Sequence, residues 1–139
     1  MPRYRWPREN SILHAVANNY KEVAIVNLLI VEDNVKMRRM LKSLVADLVS
    51  AVHECSDGAE ALAAYTAQRP DWVLMDIAMK ELDGISATRA LKAVYPEAKI
   101  IIVTSFDEAE LREAAREAGA CGYVLKENLL ALRELLETP

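Results

Sequence analysis

At 139 residues, the chain is long enough to build one domain around a single hydrophobic core. Its composition, 53% hydrophobic and 27% charged, is ordinary for a globular protein. No apolar run is long enough to span a membrane and no signal peptide leads the chain, so we expect a cytoplasmic protein, and the net charge of −4 argues against nucleic acid as a default partner.

Cysteine and histidine are too sparse and too scattered for a zinc site. Cys55 and Cys121 lack the spacing of a metal or redox motif, and His14 and His53 form no plausible ligand cluster with them. We therefore expect both cysteines to be reduced core residues rather than a disulfide.

The charge divides the chain into an N-terminal extension, residues 1–24, and an acidic domain, residues 25–139. The extension carries a charge of +2, which leaves −6 for the remainder. Pro2 and Pro7 exclude a long regular element at the start, but Ser11 could cap a short helix with one apolar face. Such a helix could dock on this domain or on a neighbour; a tag remnant or an upstream start codon would explain the extension equally well.

From residue 25, short apolar strands alternate with amphipathic helices in five strand-then-helix units. Apolar runs predict strands at 25–31, 51–55, 71–76, 99–104 and 122–126. Helical spacing predicts helices at 35–48, from Asp57-Gly58 to about 68, at 84–94 and 107–118, and from Asn128 to about 137. In the first helix, Met37 and Met40 are expected in the core. Strands covered by helices on both faces indicate an α/β fold with an open parallel sheet.

Polar residues follow the predicted strands at the points where the strands end. They are Glu32 and Asp33 after the first strand, Asp76 at the third, Thr104 and Ser105 at the fourth, and Lys126 at the fifth. Ligands of an open α/β sheet bind outside the carboxyl ends of the strands, so we expect these side chains on one rim.

The chemistry of these side chains is complementary. Three carboxylates make a hard oxygen site suited to Mg²⁺. A lysine and a hydroxyl beside it would neutralise a phosphoryl group and hydrogen-bond to it. One of the carboxylates could itself be the nucleophile that forms an aspartyl phosphate.

Five fragments, in this order, resemble the receiver domain of two-component response regulators over about residues 25–137. The fragments are Glu32-Asp33-Asn34, Leu74-Met75-Asp76-Ile77, Met79…Asp83-Gly84-Ile85, Val103-Thr104-Ser105 and Gly122-Tyr123-Val124-Leu125-Lys126. The segment 118–123 is most similar to receivers of the LuxR-like subclass. The resemblance implies a chemotaxis-regulator-like, flavodoxin-like fold with strand order 2-1-3-4-5 and helices on both faces of the sheet.

The resemblance also implies a role for each residue of the rim. Asp76 would accept the phosphoryl group, and Lys126 would contact the phosphoryl oxygens. The ligands of Mg²⁺ would be Asp33, Glu32 directly or through water, Asp76 and the backbone carbonyl of Ala78.

A conformational switch is implied in the same way. Thr104 would move toward the phosphate, and Tyr123 would follow it as an aromatic switch, while the small side chain of Ser105 would let the phosphoryl group approach. The donor would be a sensor histidine kinase, and the output a downstream protein target or a self-dimer, with no membrane partner. The protein would be a phosphoacceptor and not an enzyme; whether it is a single-domain regulator or part of a longer protein stays open.

Three positions bear on how long the phosphate would last. Lys80 stands where the family commonly has proline, so this loop could be looser than usual. Ala78 and Phe106 lie two residues beyond the acceptor and the hydroxyl, where they would flank the path of the hydrolytic water. Neither side chain can orient water, so we predict slow self-dephosphorylation.

Three other classes of protein use a related sheet. A flavodoxin-like cofactor binder would need a phosphate loop where Glu32-Asp33 would repel a phosphate. A phosphatase of the haloacid dehalogenase type needs a second acid where Ala78 stands. A phosphorylation-independent interaction module with this fold is the serious alternative, although such a module would be expected to have lost an acid, the lysine or the hydroxyl.

Overall fold

The structure, a computed structural model, describes residues 25–137. The predicted extension of residues 1–24, with its helix from Ser11, lies outside the described residues. The described chain contains five strands, β1 (Ile25–Val31), β2 (Val49–Cys55), β3 (Trp72–Met75), β4 (Ile100–Thr104) and β5 (Gly122–Leu125). It also contains five helices, α1 (Val35–Val45), α2 (Ala61–Gln68), α3 (Gly84–Val94), α4 (Ala109–Ala118) and α5 (Leu130–Glu137). Within these residues, no helix is both long enough and apolar enough to cross a membrane.

All five strands pair in parallel, in the order β2-β1-β3-β4-β5. This order confirms the α/β, flavodoxin-like fold that the resemblance implied. The three central strands carry the most apolar sequences, and all five residues of β4 are buried. Sequences of this kind suit strands that helices cover on both faces.

The alternation of side chains along the strands supplies a separate core for each face of the sheet. On one face, the buried residues of β1, β3 and β4 pack against α2, α3 and α4; they include Leu29, Val73, Met75, Ile100 and Ile102. On the other face, the intervening residues pack against α1 and α5; they include Leu28, Ile30, Leu74, Ile101 and Val103. Helices therefore cover both faces, as predicted.

Helix ends follow local hydrogen-bonding chemistry. The side chain of Asn34 caps α1 by accepting a hydrogen bond from the backbone N–H of Met37 at 2.8 Å. Asp83 caps α3 by accepting from the N–H groups of Ile85 and Ser86, both at 2.9 Å. Gly119 ends α4 with a φ of 107°, a left-handed conformation that favours glycine.

The predicted first helix is three residues too long, and the second strand begins two residues earlier than predicted. The chain turns after Val45, where the N–H of Leu48 donates to the carbonyl of Val45 at 2.8 Å. Leu48 is buried like Leu41 and Val45 of the helix, which explains why the apolar spacing predicts a helix as far as residue 48. Val49 then pairs with Ile25, which extends β2 toward its start.

Three helices begin later than predicted, and one of them, α4, begins at Ala109 rather than at residue 107. The segment after Asp57 forms a 3₁₀ turn, Gly58–Glu60, before α2 begins at Ala61. Asn128 lies in a second 3₁₀ turn, Lys126–Asn128, and α5 begins at Leu130, so Asn128 is not the residue that immediately precedes this helix.

The structure corrects two core assignments. Met40 is 52% exposed because it lies one residue, or about 100° of helical rotation, from the buried Leu41. Cys121 is exposed even though its backbone N–H donates to the carbonyl of Ile100 at 2.8 Å. Both cysteines are free, as expected, and burial raises the pKa of the half-buried Cys55 to about 11.

Candidate functional site

The carboxyl ends of the strands bring the predicted polar residues to one rim of the sheet. Val31, the last residue of β1, pairs with Met75, the last residue of β3, so the acids that follow them lie side by side. Thr104 at the end of β4 pairs in the same way with Leu125, directly before Lys126. The parallel register therefore brings the polar residues at the strand ends to one rim, as the sequence pattern predicted.

Three carboxylates converge at this rim. Glu32, Asp33 and Asp76 each have an oxygen within 4.8 Å of the others, a spacing that could hold a metal ion. Glu32 and Asp76 are buried, at 2% and 5% exposure, whereas Asp33 is exposed. Three anionic oxygens at this spacing suit a hard divalent cation such as Mg²⁺.

Lys126 compensates part of this negative charge. Its Nζ lies 3.0 Å from Oε1 of Glu32 and 3.4 Å from Oδ2 of Asp76. Burial raises the pKa of Glu32, and the charge of Asp76 adds to the effect, although Lys126 and the N–H of Asn34 oppose it. The single ammonium of Lys126 faces a cluster of three carboxylates, so a bound cation would offset the remaining negative charge.

Backbone groups hold the two buried carboxylates in place. Oδ1 of Asp76 accepts a hydrogen bond from the N–H of Ile77 at 2.8 Å, and Oε2 of Glu32 accepts from the N–H of Asn34 at 3.1 Å. A Cβ at Gly84 would lie 1.8 Å from the backbone carbonyl oxygen of Asp76, so only glycine allows this approach.

Thr104 and Tyr123 meet at the backbone of Phe106. The fully buried Thr104 accepts a hydrogen bond from the N–H of Phe106 through Oγ1, at 3.4 Å. The hydroxyl of Tyr123 donates to the carbonyl of Phe106 at 2.8 Å, and the guanidinium of Arg112 lies 4.6 Å from the centre of its ring. Ser105, between Thr104 and Phe106, is exposed.

An open, polar cleft of about 370 Å³ borders the acidic rim on the side of Asp33. Asp57 and Glu81 also line it, together with Lys80 from the loop after β3. Ala78 lies in that loop and is exposed. The rim is therefore accessible from solvent at the exposed carboxylate.

Two residues that the sequence analysis did not assign to the site also contact it. Arg38 in α1 donates to the backbone carbonyl of Glu32 at 2.6 Å and to the carboxylate of Glu54 at 2.9 Å. Asp57 accepts hydrogen bonds from the loop that follows Asp76. Asp57 is visible in the sequence as a turn residue before glycine, but its partners in the loop, Glu81 and Leu82, are more than 20 residues away and cannot be read from local spacing.

Comparison with known proteins identifies, over most of the chain, the same family that the sequence motifs resemble. The family profile described as "Response regulator receiver domain" matches residues 28–137. The chemotaxis protein CheY of Halobacterium salinarum is 37% identical over 99 residues, which cover 71% of this chain and 82% of that protein.

The chain is also similar to part of a longer regulatory protein and to a solved structure. The regulatory protein AtoC of Escherichia coli is 37% identical over 103 residues, which cover 74% of this chain but only 22% of that protein. The crystal structure of a LuxR-family two-component response regulator from Aurantimonas sp. SI85-9A1 superposes with a TM-score of 0.73 at 30% identity, covering 81% of this chain and 85% of that one. The predicted likeness to LuxR-family receivers is thus confirmed.

Proposed function

The chain belongs to the response regulator receiver domain family, and on that premise we propose that it is a phosphorylation-controlled switch in which Asp76 accepts a phosphoryl group. The observation that carries the proposal is the arrangement of Asp76 itself. Its carboxylate is 5% exposed and lies 3.4 Å from the ammonium of Lys126, beside two further acids. The phosphoryl donor would be a phosphohistidine of a sensor kinase.

The transfer would be an in-line displacement at phosphorus. A carboxylate oxygen of Asp76 would form the new P–O bond as the P–N bond to the donor imidazole breaks, and the imidazole would leave with the electron pair. Lys126 would hold its positive charge against the equatorial phosphoryl oxygens, where negative charge accumulates. The protein supplies nucleophile and electrostatics for its own modification, and it turns over no separate substrate.

Mg²⁺ would be held by Glu32, Asp33, Asp76 and the backbone carbonyl of Ala78. Three of these ligands are the carboxylates of the rim, and the burial of Glu32 and Asp76 leaves little water to screen their charge. When bound, the ion would neutralise charge shared between the acids and the phosphoryl group.

The response to phosphorylation would pass through Thr104 and Tyr123. Thr104 would turn its hydroxyl to the new phosphoryl group, and Ser105 would leave room for that group. Because Thr104 and Tyr123 both bond to the backbone of Phe106, a shift of Thr104 would disturb the hydrogen bond that holds Tyr123. The change would alter docking of a protein target or dimerisation, in the cytoplasm and without direct binding of nucleic acid or membrane.

The test is intact-mass analysis of the protein after incubation with acetyl phosphate and Mg²⁺, with Asp76→Asn alongside. We expect a gain of one phosphoryl group that requires the metal and is absent from the variant. Because Ala78 and Phe106 offer no group to orient water, we expect slow decay of the phosphoprotein; decay within seconds would contradict that part. No phosphoryl gain in the folded wild type would favour the alternative, a phosphorylation-independent interaction module.

A further inference from the structure

Asp57 stands outside the acidic rim but binds the loop that leads away from it. Its Oδ2 accepts a hydrogen bond from the N–H of Glu81 at 2.9 Å, and its Oδ1 accepts from the N–H of Leu82 at 3.0 Å. Oδ1 also accepts from the N–H of Ala59 at 2.9 Å, which caps the 3₁₀ turn after β2. One carboxylate therefore joins the turn after β2 to the loop after β3.

This loop, residues 77–83, connects Asp76 to α3 and contains Ala78. Its two ends are fixed by Gly84, whose N–H donates to the carbonyl of Ile77 at 2.9 Å and whose Cα packs against the backbone of Asp76. Between these ends, the side chain of Asp57 holds the backbone at Glu81 and Leu82. The course of the loop therefore depends on a residue from another strand end.

The neighbouring glycine shows how closely the two segments pack. A Cβ at Gly58 would lie 2.3 Å from the backbone carbonyl oxygen of Leu82, so any larger residue would push the loop away. The N–H groups of Ala59, Glu81 and Leu82, with a smaller effect from Lys80, lower the pKa of Asp57 although burial opposes them. The carboxylate is therefore ionised at neutral pH, in the form that accepts all of these hydrogen bonds.

We propose that Asp57 is a positioning residue for the metal site, which fixes the 77–83 loop so that the carbonyl of Ala78 is held where Mg²⁺ can bind it. This inference rests on the proposed function, because it requires the rim to bind Mg²⁺. Asp57 would not be a ligand of the metal or touch the phosphoryl group. It would set the affinity for Mg²⁺ by reducing the freedom of the backbone that carries one ligand.

The experiment is calorimetric titration of the full chain with Mg²⁺, comparing wild type with Asp57→Ala and Asp57→Asn. We expect Asp57→Ala to weaken Mg²⁺ binding about tenfold or more, as is typical for residues that orient metal ligands. Asparagine keeps an acceptor for Ala59 and Leu82 but turns an N–H toward that of Glu81, so Asp57→Asn should fall between the other two. Saturating Mg²⁺ should then restore phosphorylation of Asp57→Ala by acetyl phosphate.

The matched control is Asn27→Ala. Asn27 also holds a loop, because its Nδ2 donates to the backbone carbonyl of Gln68 at 2.9 Å, but it lies at the opposite end of the sheet. This variant should lose stability and keep the wild-type affinity for Mg²⁺. Equal weakening in Asn27→Ala and Asp57→Ala would overturn the proposal, because it would mean that general destabilisation is the cause.

The remaining outcomes separate the inference from the function on which it rests. If wild type binds Mg²⁺ and Asp57→Ala binds it within twofold as tightly, the positioning role is refuted and the proposed function stands. If wild type itself binds no Mg²⁺, both are refuted. Should Asp57→Ala fail to fold, Asp57→Asn decides the question, and unchanged affinity in that folded variant would refute the role.

Discussion

Glu32, Asp76 and Lys126 place three formal charges together in a site that is largely closed to water. The two acids are 2% and 5% exposed, and the side chain of Lys126 is 17% exposed. Buried charges are costly unless they are paired, and here one cation faces two anions. The two buried acids therefore lower the free energy of unfolding, and they also create a negative electrostatic field that favours a bound cation.

Replacing Lys126 with alanine tests how much its positive charge stabilises the two buried carboxylates. Without Mg²⁺, the free energy of unfolding should fall by about 2 kcal/mol, because two buried carboxylates lose their counterion. The loss should be smaller than for a fully buried pair, because the side chain of Lys126 is 17% exposed and therefore partly screened by water. Mg²⁺ should recover part of the loss, since a divalent cation can offset the same carboxylates. Urea unfolding at neutral pH, with and without Mg²⁺, measures both quantities.

Lys42→Ala provides the control. Lys42 pairs with Glu54 at 2.8 Å, but the side chains are 45% and 32% exposed, so the loss should stay below about 1 kcal/mol and should not respond to Mg²⁺. Equal losses for the two lysine variants would argue that burial of the acidic rim has no energetic consequence.

At the scale of elements, the sequence predicts most of the fold because each strand is a short apolar run and each helix has an apolar stripe. The structure has β1 and α3 with the predicted bounds, and the parallel register then brings Glu32, Asp33, Asp76 and Lys126 to one rim. The predicted roles of these residues stay predictions, but their proximity follows from strand ends alone.

Local patterns fail where a contact between distant segments decides the structure. Met40 has the spacing of a core residue, yet only the packing of α1 on the sheet shows that it points outward. Asp57 and Gly58 read as an ordinary turn, and their partner, the backbone at Leu82, is set by the position of another strand. Hydrophobic periodicity carries no information about such contacts.

The loop between β3 and α3 yields a prediction at this scale. Gly84→Ala should lower the free energy of unfolding by about 2–3 kcal/mol, because a Cβ would lie 1.8 Å from a backbone oxygen that cannot move without Asp76. Phosphorylation by acetyl phosphate should fall even where the variant is folded. Chemical denaturation and intact-mass analysis together measure the two effects.

Gly122→Ala is the matched substitution in β5. There the added Cβ would meet Cδ1 of Leu135 at 2.9 Å, the end of a flexible side chain that can rotate away. We expect a loss below about 1 kcal/mol and normal phosphorylation. If both glycine variants behaved alike, the close approach of Gly84 to Asp76 would not be what makes glycine necessary.

At the scale of the whole molecule, the described residues form a layered domain whose two cores lie on opposite faces of one sheet. The core on one face extends from Leu29 to Ala118 along the chain, and the core on the other extends from Leu28 to Leu136. Among the described residues, these two cores already occupy both faces of the sheet, and the family match begins at residue 28. The change of charge from +2 to −6 falls just before this match, after residue 24.

We therefore propose that residues 25–139 fold without residues 1–24. The shortened protein should unfold in one cooperative transition, with a free energy of unfolding within about 1 kcal/mol of the full chain, because both cores are retained. Urea unfolding of the two proteins measures this, and light scattering on the same samples reports whether the oligomeric state changes. A large loss of stability would instead show that the extension packs against the domain. Unchanged stability with a changed oligomeric state would assign the extension to an interface between copies of this chain.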